Sequence, residues 1–356
     1  MNKTIPAILF LAAAGTSQTS LAYTVYWGCG NGEPLKWKTN EVHLRASTQF
    51  DNPPWKRSLA TSIARWNQTP SSFRFTVHYG DNNVALGNGQ NEILWVTSLE
   101  APAATITLYS CSGGIRETDI LFNVQKTWTT SMSKRSLISY GGTARPFQTT
   151  AIHELGHAAG LLHTSGVYNI MGADWTHIFS NGRTAKSYVG EDAVNGVVSM
   201  YGLASVIVDD VSVTHWRHNG NQGLYSTHGR TRLFDNDGQV LNSYLHEGEP
   251  VFLVSRGERV QPEFTYENNG AYRQAGINLD FYISTNDYIS RYDRKIGDDL
   301  IQLGRDIPLT RATLVQIPYD LTSGKIYYLG VLMDGSNNIS EIREDNNATY
   351  IAIQIR

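Results

Sequence analysis

Hydrophobic residues in the first two hundred positions follow two periods. Leu59, Ile63 and Trp66 recur along one helix face, and two prolines at 53–54 stand before them, which predicts an amphipathic helix over residues 55–67. Alternating apolar and polar positions predict short strands, at residues 35–37, 42–45, 73–77, 93–96, 105–109 and 115–123. Since helices and strands are interspersed, we expect an α+β domain built on a mixed, twisted sheet.

The pattern changes after Gly202. Short alternating segments separated by turn-forming residues continue to the end of the sequence, and none has the helical period over a useful length. The clearest strands are residues 279–284, 326–333 and 349–355. This half predicts an all-β sandwich, so we divide the chain into domains at residues 23–204 and 205–356.

The first 22 residues have the composition of an export signal. Lys3 gives a basic start, residues 5–14 are apolar, and small residues at 20–22 offer a cleavage site before Tyr23. The alternative is a buried N-terminal helix, but the apolar run is short and flanked as in a signal peptide. We therefore expect a secreted, extracellular protein that passes through the periplasm.

Composition sets limits on the partners. The 356 residues carry a formal net charge of -3 and are 41% hydrophobic. This balance gives no electrostatic argument for nucleic acid or an anionic membrane. No internal apolar run is long enough to span a bilayer. We expect a monomer of two ordinary domains.

One stretch, from His153 to His163, contains the candidate metal ligands and the candidate general base. His153 and His157 are four residues apart, so on a helix both can reach one metal ion. Gly160 can end that helix and turn the chain, so that His163 returns as a third ligand. Three nitrogen ligands and one open position suit a catalytic Zn²⁺ ion, and Glu154 is the candidate general base. A lone histidine is more often a hydrogen-bonded core residue, but that interpretation does not account for the set.

This stretch resembles the extended zinc signature of the metzincin peptidases. Their second hallmark, a methionine-containing turn beneath the metal, is matched by Met171, for which an ordinary buried methionine is the alternative. The order of elements over residues 35–202, with Thr164 after the third histidine, resembles the matrixin branch. Ala173 stands where astacins and serralysins place a tyrosine ligand, so such a ligand is not expected.

The resemblance implies a zinc metalloendopeptidase that hydrolyses extracellular proteins through a zinc-bound water activated by Glu154. It places the extended peptide substrate along an edge strand near residues 103–108, and the pocket wall after the scissile bond at residues 173–176. A Ca²⁺ ion is compatible with the family, but no ligand set in the sequence supports one. The alternative is a binding or adhesion protein with an inactive metzincin scaffold, which would have no physical need for Glu154.

Cys29 and Cys111 are the two cysteines of the sequence. In an exported protein an even pair usually forms a disulfide, which is our prediction. Two unpaired thiols are one alternative. The other comes from the matrixin resemblance, in which a propeptide cysteine caps the zinc, but the residues that flank that cysteine in matrixins are missing here.

The stretch from Val260 to the end of the sequence resembles the bacterial CARDB-type immunoglobulin-like module. The resemblance is carried by residues 264–270, 281–286, 327–331 and 341–347. As a hypothesis separate from that resemblance, we expect this domain to bind substrate, a glycan or another surface ligand. Residues 215–248 look like an insertion or an extra hairpin relative to that module. We expect their histidines, His215, His218 and His228, to bind no metal for want of ligand spacing.

Overall fold

The computed structural model describes residues 7–9, 23–30, 32–206, 208–305 and 307–356. The predicted signal peptide, residues 1–22, lies outside the described residues except for the backbone of residues 7–9. No helix in the described ranges is both long and apolar enough to cross a membrane.

The N-terminal unit, up to Gly202, combines helices with short strands. Its helices are α1 Pro53–Asn67, α2 Phe147–Ala158 and α3 Glu191–Tyr201. Its described strands are β1 Ala7–Leu9, β2 Thr24–Val25, β3 Glu41–Ser47, β4 Arg74–Asp81, β5 Glu92–Val96, β6 Ala103–Ser110, β7 Gly114–Asn123, β8 Trp128–Thr129, β9 Arg145–Pro146, β10 Leu161–Leu162, β11 Phe179–Ser180 and β12 Ala185–Lys186.

One mixed sheet organises this unit, in the order β1-β6-β7-β5-β3-β4. Strand β5 runs parallel to β3 and β7, whereas β6 runs antiparallel to β7. The apolar face of α1, with Leu59, Ile63 and Trp66, shares a buried core with Phe122 of the sheet and Leu155 of α2. The mixed sheet with packed helices agrees with the predicted α+β class.

The predicted strand at residues 35–37 is wrong, because these residues have no strand pairing. Their polar groups bond to helix ends instead. The Trp37 indole N–H donates to the Ala158 carbonyl at 2.8 Å, and Lys36 Nζ donates to the Met200 carbonyl at 2.7 Å. The segment therefore crosses the C-terminal ends of α2 and α3 and satisfies carbonyls that a helix end leaves unpaired.

The predicted Cys29–Cys111 disulfide is present in the structure. It joins the segment before Leu35 to the turn between β6 and β7. Both sulfur atoms are used in this bond, so the structure does not support unpaired thiols or a cysteine that caps the metal site.

The C-terminal unit is made of strands. They are β13 Val211–Thr214, β14 Trp216–Gln222, β15 Tyr225–Arg230, β16 Leu233–Asp235, β17 Ser243–His246, β18 Glu249–Val254, β19 Arg259–Asn268, β20 Gln274–Ser284, β21 Arg294–Leu303, β22 Leu309–Ala312, β23 Val315–Gln316, β24 Ile326–Met333 and β25 Ala348–Ile355. One sheet is built around β19, which pairs β13, β16, β22 and β23, and the other has the order β17-β18-β25-β24-β20-β21.

The two sheets enclose one apolar core. Phe264 and Tyr266 from the first sheet pack in the same buried cluster as Phe281, Leu329 and Ile353 from the second. This arrangement is a β-sandwich, in agreement with the strand pattern of the sequence.

Strands β14 and β15 pair only with each other and form a separate hairpin, residues 216–230, outside both sandwich sheets. Its connection is Gly223-Leu224, and Gly223 has a φ of +63°. A two-residue turn whose first central position has positive φ favours glycine there, because a side chain would be strained. A hairpin is therefore present within residues 215–248, where an insertion or an extra hairpin was expected, but it covers residues 216–230 alone, because β16 and β17 pair within the sandwich sheets.

The two units share buried contacts. Trp216 packs in one apolar cluster with Tyr140, Tyr168 and Ile178 of the N-terminal unit. Lys134 Nζ, which is buried, lies 3.3 Å from a Glu249 carboxylate oxygen. Contacts of this kind fix the hairpin relative to the helices, which bears directly on the site below.

Candidate metal centre

Helix α2 carries the first two histidines and lies in the interior of the N-terminal unit. His153 and His157 are 5% and 2% exposed. The Trp66 indole N–H donates to the Ile152 carbonyl at 3.0 Å, which ties α2 to α1. Trp37 holds its last turn from the other side, as described above. Hydrogen bonds from two tryptophans therefore fix the position of α2 just before His153 and just after His157.

Gly160 turns the chain after α2. Its φ is +103°, and a Cβ atom there would lie 3.1 Å from the Leu35 carbonyl oxygen. Both facts favour glycine, as the sequence predicted. The chain then enters β10, which pairs antiparallel with β2, and delivers His163 beside the helix.

The three imidazoles meet at their Nε2 atoms. His157 Nε2 lies 3.1 Å from His153 Nε2 and 3.0 Å from His163 Nε2, and the third distance is 3.3 Å. Ligands about 2.0–2.1 Å from one ion in tetrahedral geometry would be about 3.3–3.4 Å apart. The observed separations are close to that value, so the three nitrogen atoms fit a single metal ion. In the described ranges this is the one cluster of three or more such ligand atoms.

Backbone carbonyls set the tautomers of the helix histidines. His153 Nδ1 lies 2.7 Å from the Ile170 carbonyl oxygen, and His157 Nδ1 lies 2.8 Å from the Leu161 carbonyl oxygen. A carbonyl only accepts, so each Nδ1 must carry the proton. In a neutral ring the Nε2 atom is then unprotonated, and its lone pair is free to bind a metal ion where the three Nε2 atoms meet.

Burial keeps the rings neutral. It lowers the pKa of His153, and it lowers the pKa of His157 to about 3 with help from the neighbouring His153. The pKa of His163 is also lowered, mainly by burial and secondarily by the other two rings. Three neutral imidazoles with convergent lone pairs are a suitable donor set for Zn²⁺.

Glu154 is 4% exposed, and its carboxylate accepts a hydrogen bond from Thr105 Oγ1 at 2.8 Å. Thr105 lies on β6, so the sheet positions this carboxylate. Burial raises the pKa of Glu154 to about 8, although the Thr105 hydrogen bond opposes the shift. Such a carboxyl group can both accept and return a proton near neutral pH.

Arg145 and Asp174 form an ion pair in which Asp174 is buried and Arg145 is partly buried. Arg145 Nε also donates to Thr150 Oγ1 at 3.0 Å, and its guanidinium lies 4.8 Å from the ring centre of Trp175. Asp174 and Trp175 belong to the segment 173–176 that was predicted to form a pocket wall. The structure adds that this segment carries a paired charge, which the family resemblance did not suggest.

Met171 lies below α2. It is 1% exposed and packs in the main core of the N-terminal unit. A Cβ atom on Gly156 would lie 2.4 Å from the Met171 sulfur, so the glycine lets the methionine approach the helix. The neighbouring Ile170 carbonyl is the one that orients His153, so this turn supports the metal centre through its backbone as well as by packing.

The hairpin of residues 216–230 contacts the histidine cluster, and the sequence did not predict it as part of the site. The ring centre of Tyr225 lies 3.7 Å from that of His163. The Ser226 N–H donates to the Thr164 carbonyl at 2.9 Å. No motif in the sequence signals either contact, since the hairpin lies more than fifty residues after His163 and has an unremarkable strand pattern.

The other histidines of this region have structural partners. His215 Nε2 lies 3.0 Å from the Tyr140 hydroxyl. His228 Nε2 accepts from the Asn169 N–H at 3.3 Å. Burial lowers the pKa of both rings, so they are neutral hydrogen-bonding groups. They serve as contacts between the units.

Comparison with known proteins gives a family for one part of the chain. Residues 36–202 match the family model described as Matrixin, a peptidase family. This part is therefore a matrixin-like domain, and the match supports a metallopeptidase-type function. A search of curated proteins found no match.

Two solved structures illustrate the structural comparison. The CARDB domain of a Pyrococcus furiosus protein, in complex with di-metal ions, covers 43% of this chain and 95% of its own, at 13% identity and a TM-score of 0.26. Wild-type OgpA from Akkermansia muciniphila covers 97% of both chains, at 10% identity and a TM-score of 0.24. Scores of this size do not establish a shared fold, so the CARDB resemblance stays a prediction.

Proposed function

We propose that this protein is a secreted, zinc-dependent endopeptidase. The observation that carries the proposal is the convergence of three neutral imidazole nitrogens beside a buried carboxyl group, Glu154. The matrixin family, which is zinc-dependent, supports the choice of metal. Export, and with it an extracellular substrate, is supported by the composition of residues 1–22 alone.

The chain's own residues would perform distinct tasks. His153, His157 and His163 would hold the metal, with the Nδ1 hydrogen bonds of the first two fixing the ring orientations. A Zn²⁺ ion held there would supply Lewis-acid activation of a water molecule and of the substrate carbonyl group. The neutral state of the rings is the one that binding requires.

Glu154 would move the protons. Its carboxylate would accept a proton from the attacking water and then donate it to the nitrogen of the leaving amine. Thr105 Oγ1 holds one carboxylate oxygen, Oε2, which leaves the other oxygen for this work. The raised pKa suits a group that must hold the proton between the two steps.

Strand β6 is the surface on which the substrate would lie. Among the described residues, its sheet neighbour besides β7 is β1, which pairs antiparallel in the register Ala7↔Leu108 to Leu9↔Ile106. Removal of the signal peptide would free this edge for an extended peptide, which would pair by backbone hydrogen bonds. The same strand carries Thr105, so a peptide on β6 would pass close to Glu154.

The sandwich would bind substrate, a glycan or another surface ligand. This part of the proposal is a hypothesis separate from the resemblance to CARDB modules in the sequence. A scaffold without activity, used for binding or adhesion, is the second candidate function. The buried Glu154 speaks against it, because burying a carboxyl group is costly even with the Thr105 hydrogen bond, and a passive scaffold gains nothing from it.

The test compares wild type with Glu154→Gln on a peptide library read by mass spectrometry. Glu258→Gln, at a partly exposed turn of the sandwich between β18 and β19, is the matched control. We expect zinc content and folding to be unchanged and hydrolysis to fall by about 10²–10⁴-fold or more in Glu154→Gln alone. Full turnover in that variant would assign the proton transfers to another residue. Zinc-loaded wild type that cleaves no peptide would favour the scaffold.

A further inference from the structure

The hairpin of residues 216–230 is held beside the metal centre by backbone contacts of Ser226 and by side-chain hydrogen bonds around it. Ser226 is fully buried between the segment after His163 and the turn after Met171. Its N–H donates to the Thr164 carbonyl at 2.9 Å, and its carbonyl accepts from the Ala173 N–H at 3.0 Å. A Cβ atom on Gly172 would lie 2.7 Å from Ser226 Cβ, so the two backbones are in close contact.

Side chains on either side of Ser226 add to this anchoring. Asn221 Oδ1 accepts from the Gly166 N–H at 2.8 Å. Asn169 Nδ2 donates to Ser226 Oγ at 3.1 Å, and His228 lies 3.0 Å from Thr176 Oγ1. The hairpin thus contacts the chain on both sides of the methionine turn. A residue adjacent to Ser226 is consequently held in a defined place.

Tyr225 is that residue. Its ring lies against His163, with 3.7 Å between ring centres and 36° between planes. It is nearly parallel to His153, at 2° and 6.3 Å. Tyr225 is 38% exposed whereas His163 is 7% exposed, so the phenol covers the solvent side of the histidine cluster. Among the described residues its hydroxyl has no hydrogen-bond partner.

We propose that Tyr225 is a catalytic residue, supplied to the matrixin-like centre by a hairpin of the C-terminal unit. Its phenol O–H would donate a hydrogen bond to the carbonyl oxygen of the scissile peptide bond. This inference rests on the proposed function. A phenol is suited to the task because it is a donor on a rigid ring, and a donor held in place before the reaction stabilises developing negative charge most effectively.

The arrangement also explains how a domain lacking a tyrosine after its methionine turn can present one. Ala173 leaves that position without a hydroxyl, but its N–H binds the residue next to Tyr225. The hairpin therefore brings a tyrosine to the neighbourhood of His163 from outside the 36–202 segment.

The test is Tyr225→Phe, which keeps the ring and removes only the hydroxyl. Tyr292→Phe is the matched control, because Tyr292 is 85% exposed on the sandwich. We expect kcat of Tyr225→Phe to fall by about 10²-fold with KM little changed, and the control to match wild type. Zinc content and thermal unfolding should be unchanged in both variants.

A second readout does not depend on turnover. Acetohydroxamate binds metal centres through its oxygen atoms, and its affinity for the zinc-loaded proteins can be measured by calorimetry. We expect binding to Tyr225→Phe to be about 10- to 10²-fold weaker than to wild type or Tyr292→Phe, as for a lost hydrogen bond to a charged group.

The outcomes separate this inference from the proposed function. Equal hydroxamate affinity and equal kcat in Tyr225→Phe and wild type would overturn the role of Tyr225 while leaving an endopeptidase. Loss of zinc from Tyr225→Phe would overturn it too, because the ring would then act on the histidines and not on the substrate. Weaker hydroxamate binding together with no hydrolysis by wild type would support the placement of Tyr225 but contradict the endopeptidase.

Discussion

Two regions contribute residues to the metal centre, and they differ in how far the sequence alone predicts their positions. Residues 153–163 supply three imidazoles and a carboxyl group from eleven consecutive positions, so helix geometry and one glycine turn are enough to bring them together. The hairpin of residues 216–230 supplies Tyr225 and the Ser226 backbone from a different unit. Local spacing predicts the first region, and only tertiary packing places the second.

This difference indicates a division of labour. The helix and the turn after it can hold a metal without the hairpin, since the Nδ1 partners Ile170 and Leu161 are both near in sequence. Tyr225 of the hairpin lies against His163 and is the more exposed of the two, so we expect it to face a bound substrate. We therefore expect changes in the hairpin to affect turnover far more than metal content.

The largest effect is expected from removing the hairpin. Replacing residues 218–228 by an Asn-Gly turn would keep Trp216 and its pairing with Arg230 while deleting Tyr225, Ser226 and their contacts. We expect kcat/KM to fall by about 10³-fold or more for two reasons. The Tyr225 hydroxyl is lost as a hydrogen-bond donor, and the Ser226 backbone no longer holds the segments at Thr164 and Ala173. The sandwich core should remain intact, since its cluster lies outside the hairpin.

The control for that prediction is an equivalent change in the exposed turn at residues 236–238, which should leave peptide hydrolysis at the wild-type rate. If the hairpin-deleted protein kept wild-type kcat/KM, the division of labour described above would be wrong and the centre would be complete within the first region.

A pH effect is expected where the two units join. Burial raises the pKa of the Asp210 carboxyl to about 7, despite a hydrogen bond from Asn346 and the proximity of Arg343. The folded protein therefore binds a proton that the unfolded chain releases, so this group makes stability fall as pH rises from about 4 to 7. At 1.36 kcal/mol per pKa unit, Asp210 accounts for up to roughly 4 kcal/mol over that window.

Urea unfolding of wild type and Asp210→Asn at pH 4, 5.5 and 7 measures this contribution. The variant should show a smaller loss of unfolding free energy across the series. Asp237→Asn, an exposed carboxylate in a turn, should behave as wild type. Parallel curves for wild type and Asp210→Asn would mean that this carboxyl is ionised in the folded state throughout.

A smaller effect is expected at the disulfide. Replacing Cys29 and Cys111 together by serine removes a link across 82 residues of the N-terminal unit. We expect the unfolding free energy to drop by about 2–4 kcal/mol. Turnover at 25 °C should be little changed, because the Trp37 bond to α2 remains. Reduced wild type serves as the control and should unfold at the same urea concentration as the double variant.

Much of the fold was predictable because its periodicity is local. The helix expected at residues 55–67 is α1, which begins two residues earlier at Pro53. The strand expected at residues 326–333 is β24 with the same bounds. The strand at 35–37 was mispredicted, because Trp37 and its neighbours form hydrogen bonds to helix ends, which a short alternating pattern cannot distinguish from a sheet.

The site was predictable in part, for the same reason. His153, His157, His163 and Glu154 follow from spacing along one helix and one turn. The pairing of Glu154 with Thr105, and the contact of Tyr225 with His163, join residues that are about fifty or more positions apart. Such contacts depend on how sheets and units pack, and a single sequence carries no local signal for them.

The most direct test of the account is the metal content of the purified protein. We predict one zinc ion per chain by elemental analysis, and none after the paired substitution of His153 and His157 by alanine. The hairpin-deleted protein should still hold its zinc. A wild-type protein that contains no zinc and takes up none on addition, or a paired variant that keeps a full equivalent, would contradict the metal centre on which the proposed function depends.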